Sequence, residues 1–172
     1  MKLVKEYLYE GRVKKLKIFD FDDTLVKSDS KVYVIKENGK IFSLSTLEYA
    51  NYKLKPGEKF DFSEFKKVDD NAKIIDKQFE FFKNALQSNE EVVILTARME
   101  SNAVSDYLKN NFNIDIPVIS SGMESKASWV ESQIKNGYTD IFFMDDAIEH
   151  INDVNMLKFK YPNVRIKTKL VK

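Results

Sequence analysis

Cysteine is absent from the 172-residue chain, and His150 is its sole histidine. Disulfides, thiolate nucleophiles, iron–sulfur clusters and cysteine-ligated zinc are excluded, as are metal sites built on several imidazoles. Any chemistry must run on carboxylates, hydroxyls, Lys and Arg, with a hard cation if a metal takes part. An excess of either charge is also missing, since 28 Lys and Arg stand against 27 Asp and Glu. That balance argues against a chain-wide basic footprint for nucleic acid and leaves room for a local patch at most. No apolar run approaches the ~20 residues of a membrane span. The stretch Met1-Lys2-Leu3-Val4-Lys5-Glu6 lacks the unbroken apolar run of a signal peptide. The expectation is a cytoplasmic protein with no membrane partner.

What is present suits one core. The apolar fraction is 43% and the charged fraction 32%, and the length fits a single domain over residues 1–172. Apolar runs at 16–19, 92–95, 116–119 and 141–144 are too short for helices and read as strands. Most are nearly continuous, as expected of strands covered on both faces of a parallel sheet, while the third contains Pro117.

Between these runs, apolar residues recur with helical period. Ile75, Phe79, Phe82 and Leu86 form one stripe, with Asp70 or Asn71 as N-cap, and Val104, Tyr107, Leu108 and Phe112 form another. Trp129, Val130 and Ile134 follow Ser125, with Gly137 placed to end their helix, and Trp129 reads as core. Ile148, Ile151, Val154 and Leu157 form the last stripe before Pro162, and His150 reads there as a surface residue. Strand alternating with helix predicts an α/β fold, a Rossmann-like open and mainly parallel sheet flanked by helices. The tail alternates Val164, Ile166 and Leu170 with Arg165, Lys167 and Lys169, which predicts a half-buried edge strand with basic gatekeepers.

Residues 28–70 break the alternation. Runs at 32–36 and 40–44 flank Asn38-Gly39, a type I′ hairpin signal. Ser45 with Glu48 predicts a capping box for a short helix reaching Leu54, and Pro56-Gly57 marks a turn. The segment reads as a small insertion after the first strand. It holds seven of the 22 aromatic residues, close to an even share, which does not single out a base-stacking platform.

The informative residues are acids at strand ends. The first run leads into Asp20-Phe21-Asp22-Asp23-Thr24-Leu25 and the last into Asp145-Asp146. Ligands of open α/β sheets bind beyond the carboxyl ends of the strands. Like charges crowded there call for a cation. The second strand ends in Thr96-Ala97-Arg98, whose hydroxyl and guanidinium suit phosphoryl oxygens. Lys126 lies in the first turn of a helix, where the macrodipole gives a lysine no advantage, so a task at the site accounts for it. Lys135 is the fallback, although its place near the helix C-terminus is where lysine is expected anyway. Asp23 reads as a loop-shaping residue.

The motif beginning at Asp20 resembles motif I of the haloacid dehalogenase superfamily of phosphohydrolases. Thr96, Lys126 and Asp145-Asp146 are similar to its motifs II, III and IV, in that order along the chain. The likeness covers roughly residues 14–27 and 72–168, and the 28–70 insertion stands where that superfamily places a C1-type cap. The resemblance implies a Mg2+-dependent phosphomonoester hydrolase. Asp20 would be the nucleophile that becomes an aspartyl phosphate, and Asp22 the general acid and base. Thr96 and Lys126 would bind the phosphoryl group. Mg2+ would be held by the Asp20 carboxylate, the Asp22 backbone carbonyl and Asp145, with Asp146 nearby or reaching it through water. Thr24, Ala97 and Arg98 would lie on the substrate. Thr96-Ala97-Arg98 also resembles compact polynucleotide 3′-phosphatases and small phage-type members, and Arg98 would either clamp the substrate or pair with a cap carboxylate. The implied partner is a phosphorylated small molecule or nucleotide, or a nucleic-acid end. A non-catalytic phosphate-binding module is the alternative of a different class. Substrate identity and oligomeric state are not legible in these residues.

Overall fold

Five strands run parallel through the centre of the computed structural model, which describes residues 13–122 and 124–172. The segment 1–6, weighed above for export, lies outside these residues. Along the chain come β1 (Lys15–Phe19), β2 (Val26–Lys27), β3 (Val32–Ile35), β4 (Ile41–Leu44), α1 (Thr46–Asn51) and β5 (Lys59–Asp61). A 3-10 turn (Ser63–Lys66), β6 (Lys73–Ile74), α2 (Asp76–Leu86), β7 (Glu91–Thr96) and α3 (Asn102–Phe112) follow. The chain closes with β8 (Val118–Ser120), α4 (Lys126–Lys135), β9 (Asp140–Asp145), α5 (Ile148–Lys160) and β10 (Arg165–Leu170).

The main sheet has the order β10-β9-β1-β7-β8, with every neighbouring pair parallel. The alternation of the strands assigns the two faces. Phe19, Ile94 and Met144 pack on one side with Phe79 and Phe82 of α2 and with Val104 and Leu108 of α3. Ile18, Leu95 and Phe143 pack on the other with Val130 and Ile134 of α4 and with Val154 and Leu157 of α5. Each fully buried Phe or Leu adds roughly 1.5–3 kcal/mol of transfer free energy. The arrangement is α/β and compatible with a Rossmann-like fold. Among the described residues no helix is long and apolar enough to cross a membrane.

The insertion stands on a narrow stem. β2 and β6 pair antiparallel, Val26 opposite Ile74 and Lys27 opposite Lys73, so the chain leaves and returns at one place. Beyond the stem β3 is flanked by β4 and β5, both antiparallel to it. Val32, Val34 and Leu44 are buried there.

Several local expectations need correction. The hairpin loop is not type I′, because Gly39 has φ +78° while Asn38 is not among the residues with positive φ. Lys36 N–H donates to Lys40 O at 2.8 Å, so three residues form the loop, with Gly39 in the left-handed position. The capping box at Ser45 and Glu48 is present, but α1 ends at Asn51 and does not reach Leu54. Asp70 and Asn71 do not cap α2, because β6 intervenes and Ile75 takes the N-cap without a side-chain bond. Pro117 lies just before β8, where its carbonyl still accepts from Ile94 N–H at 3.0 Å, so the strand is Val118–Ser120 and shorter than the apolar run. Trp129 is only partly buried against the α4/α5 side.

Other expectations hold. After α4, Gly137 has φ +94°, its N–H bonds Ile134 O at 3.0 Å and Tyr138 N–H bonds Gln133 O at 3.2 Å. That pair of bonds is a Schellman ending, which requires a residue tolerant of the left-handed region. β10 is an edge strand with Ile166 buried and Arg165 and Lys167 exposed.

Candidate active site

The strand order locates the site. From β1 the chain builds outward through β7 and β8, then returns to place β9 and β10 on the opposite side. β1 and β9 therefore flank a topological switch point, the crevice where open α/β sheets take ligands. Asp20 follows β1, Asp145 ends β9, and Asp20 N–H donates to Met144 O at 2.9 Å, which zips the two strand ends together.

Lys126 completes this pair from across the crevice. It is the first residue of α4, where the Ser125 hydroxyl caps Ala127 N–H at 3.2 Å. Its ammonium is buried and donates to Asp20 Oδ1 at 2.5 Å and to Asp145 Oδ2 at 2.7 Å. Lys135 lies elsewhere, paired with Glu131 at 3.4 Å and largely exposed. Asp145 also accepts from Ala147 N–H at 2.9 Å, and His150 Nδ1 lies 3.1 Å from its Oδ1. Asp20, Asp145 and Asp146 each offer an oxygen, and these atoms lie within 4.8 Å of one another. An all-oxygen set of three carboxylates could hold a hard cation. Among the described residues Lys126 is the lysine bonded inside the trio, with His150 against the far side of Asp145, so three carboxylates face one ammonium.

The electrostatics follow from that crowding. Burial pushes the Asp20 carboxyl up to about 7, against the pull of Lys126 and with the added push of Asp145 and Asp146. Withdrawal from bulk water, then the charges of Asp145 and Asp23, raises Asp146 to about 6. Burial acts on Asp145 in the same sense, but Lys126 and His150 overcome it and hold this acid below the ordinary range. Burial alone would favour a neutral Lys126, yet the facing carboxylates hold its pKa above that of an ordinary lysine. The hydrogen bond to Asp145 raises His150 in spite of its partial burial. One acid of the trio thus stays ionised while its neighbours resist ionisation, the pattern of a site poised for a cation.

Asp22 has a different environment. Arg98 Nε donates to its Oδ2 at 2.8 Å, Arg98 Nη2 to its Oδ1 at 2.7 Å, and Ser28 Oγ to Oδ1 at 3.1 Å. Arg98 Nη1 donates to the carbonyls of Phe65 and Lys67, each at 3.0 Å. The carboxylate that Arg98 meets is not one of the insertion. The arginine pairs with the strand-end acid itself, and it joins that acid to backbone of the insertion.

Asp20, Asp22, Ala97, Arg98, Lys126, Asp145 and Asp146 all line one cleft of about 850 Å³ between the sheet and the insertion. Thr24 and Thr96, expected on substrate and phosphoryl group, are fully buried and do not line it. Thr24 Oγ1 donates to Asp146 Oδ1 at 3.3 Å, and Thr96 Oγ1 accepts from Arg98 N–H at 3.1 Å. Both hydroxyls shape the neighbours of the cleft. Asp23 has φ +57° and donates its N–H to Val26 O at 2.8 Å, a tight turn that short acidic side chains tolerate. His150, read above as a surface residue, is instead a partner of Asp145. The signal available was its place in the first turn of the helix that follows Asp145-Asp146, which folds it back toward the acids.

No family model matches this chain, and no curated protein sequence matches it.

Proposed function

We propose that the protein is a Mg2+-dependent phosphomonoester hydrolase of the haloacid dehalogenase type, with Asp20 as nucleophile and the 28–70 insertion as a small cap. The observation that carries this reading is the buried Lys126 ammonium, shared between Asp20 and Asp145 at the switch point of the sheet. A structural ion pair needs two groups. Three acids around one lysine, beside an open cleft, fit an anion-handling centre with a hard cation.

Asp20, Asp145 and Asp146 would hold Mg2+, with the Asp22 carbonyl as a further oxygen. When bound, the cation supplies charge neutralisation that favours ionised Asp20 and draws the phosphoryl oxygens in. An Asp20 oxygen attacks phosphorus, the bond to the ester oxygen breaks with its electron pair, and Asp22 delivers a proton to that oxygen. Water then attacks the aspartyl phosphate, Asp22 takes the water proton, and the bond between Asp20 and phosphorus breaks to release phosphate. Lys126 offsets the charge of Asp20 and of the phosphoryl oxygens throughout. Arg98 and Ser28 orient Asp22, and their three bonds leave Oδ2 a lone pair with which to carry the proton.

Hydrolysis of p-nitrophenyl phosphate with and without Mg2+ tests the reading. Mg2+-dependent release of phosphate is expected. A pure, folded wild type inactive on every phosphomonoester would remove it.

A further inference from the structure

We infer that the insertion supplies a subsite for a planar aromatic ring on the alcohol half of the substrate, so that the substrate is a single-phosphate ester of the nucleoside-monophosphate class. This inference rests on the phosphatase reading above. Its basis is a row of rings that begins at the proposed acid. The Arg98 guanidinium, bonded to Asp22, lies 4.9 Å from the centroid of the Phe65 ring. Phe65 meets Phe62 at 6.5 Å, and Phe62 meets Tyr49 at 5.5 Å and Phe60 at 5.7 Å. All four rings line the cleft that holds Asp20 and Asp22, whose 850 Å³ suits a small molecule.

Two features separate this row from a mere filling for the small sheet. The insertion already buries Val32, Val34 and Leu44, whereas Tyr49, Phe60, Phe62 and Phe65 each keep part of their surface exposed. The row also starts on the correct side of the reaction. Asp22 serves the leaving oxygen, so the leaving group departs along the wall nearest Asp22, which is where Phe65 stands.

Charge selects among aromatic phosphates. Among the described residues, nine Asp and Glu line the cleft against four Lys and Arg. Two of those cations, Arg98 and Lys126, are already bonded to Asp22, Asp20 and Asp145. A nucleic-acid end needs free cations to follow its backbone. A monophosphate needs none beyond the phosphoryl site.

The test compares esters that share a primary alkoxide leaving group: a nucleoside 5′-monophosphate, benzyl phosphate and glycerol phosphate, together with a 3′-phosphorylated oligonucleotide. Stacking on one ring predicts a kcat/KM roughly five- to a hundredfold higher for the nucleotide and benzyl esters than for glycerol phosphate. Phe62→Leu lowers that ratio toward one, and Phe62→Tyr, which keeps the ring, retains it. Equal kcat/KM for aromatic and aliphatic esters would overturn the inference and leave the phosphatase reading standing. Preference for the oligonucleotide would also overturn it, in favour of a polymer substrate. Inactivity of the wild type on all four would overturn both.

Discussion

Arg98 holds Asp22 by both carboxylate oxygens, at 2.8 and 2.7 Å, while its remaining terminal nitrogen bonds two carbonyls at the foot of the insertion. The guanidinium is buried, with a planar fork that lysine cannot copy. One side chain therefore orients the proposed acid and ties the insertion to the sheet. Arg98→Lys is expected to slow hydrolysis of alkyl phosphates at least tenfold more than hydrolysis of p-nitrophenyl phosphate, whose leaving group needs little protonation. Parallel kinetics on the two ester types check this. Equal losses would mean that Arg98 serves the fold alone.

Lys126 answers two buried acids at once. Lys126→Met leaves Asp20 and Asp145 without the ammonium they share, and breaking such a buried pair costs about 3–5 kcal/mol. Urea unfolding in chelator should show that loss. Added Mg2+ should restore part of it, because the cation meets the same carboxylates, while phosphatase activity stays abolished.

The raised acids predict a pH dependence with a definite sign. Asp20 moves up to about 7 and Asp146 to about 6 in the folded chain. A folded-state pKa above the unfolded one contributes stability that is fully present below the unfolded value, near 3.8, and is lost as pH rises through the folded value. The melting temperature in chelator should fall between pH 5 and 8, with a smaller fall in Asp20→Asn. Mg2+ competes with the proton for these oxygens, so its stabilising effect should grow over the same interval. Thermal unfolding across that range, with and without Mg2+, reads both effects.

The framework was legible because strands covered on both faces must be apolar along their length, and acids directly after them break that rule at a cost. Asp20 and Asp145 stood out for this reason, and Lys126 because the first turn of a helix gives a lysine no advantage. The partners of Thr24 and Thr96 were not legible, since spacing alone does not say that the Thr24 hydroxyl reaches Asp146 or that the Thr96 hydroxyl accepts from Arg98 N–H. Nor was the partner of Arg98, because the carbonyls of Phe65 and Lys67 come from a segment more than 30 residues earlier, brought in by the β2–β6 stem. The aromatic row was hidden for a related reason. Its members are scattered from 49 to 65, and only the pairing of β3 with β5 and the seat of α1 bring them to one wall.

The central claim is that Asp20 carries the phosphoryl group. Acid quenching of the wild type during turnover, followed by peptide mapping, tests it most directly. The account predicts a phosphorylated peptide containing Asp20, absent from Asp20→Asn, together with loss of hydrolysis in that variant. Full Mg2+-dependent turnover by Asp20→Asn, or a phosphoryl group mapped to another residue, would contradict it.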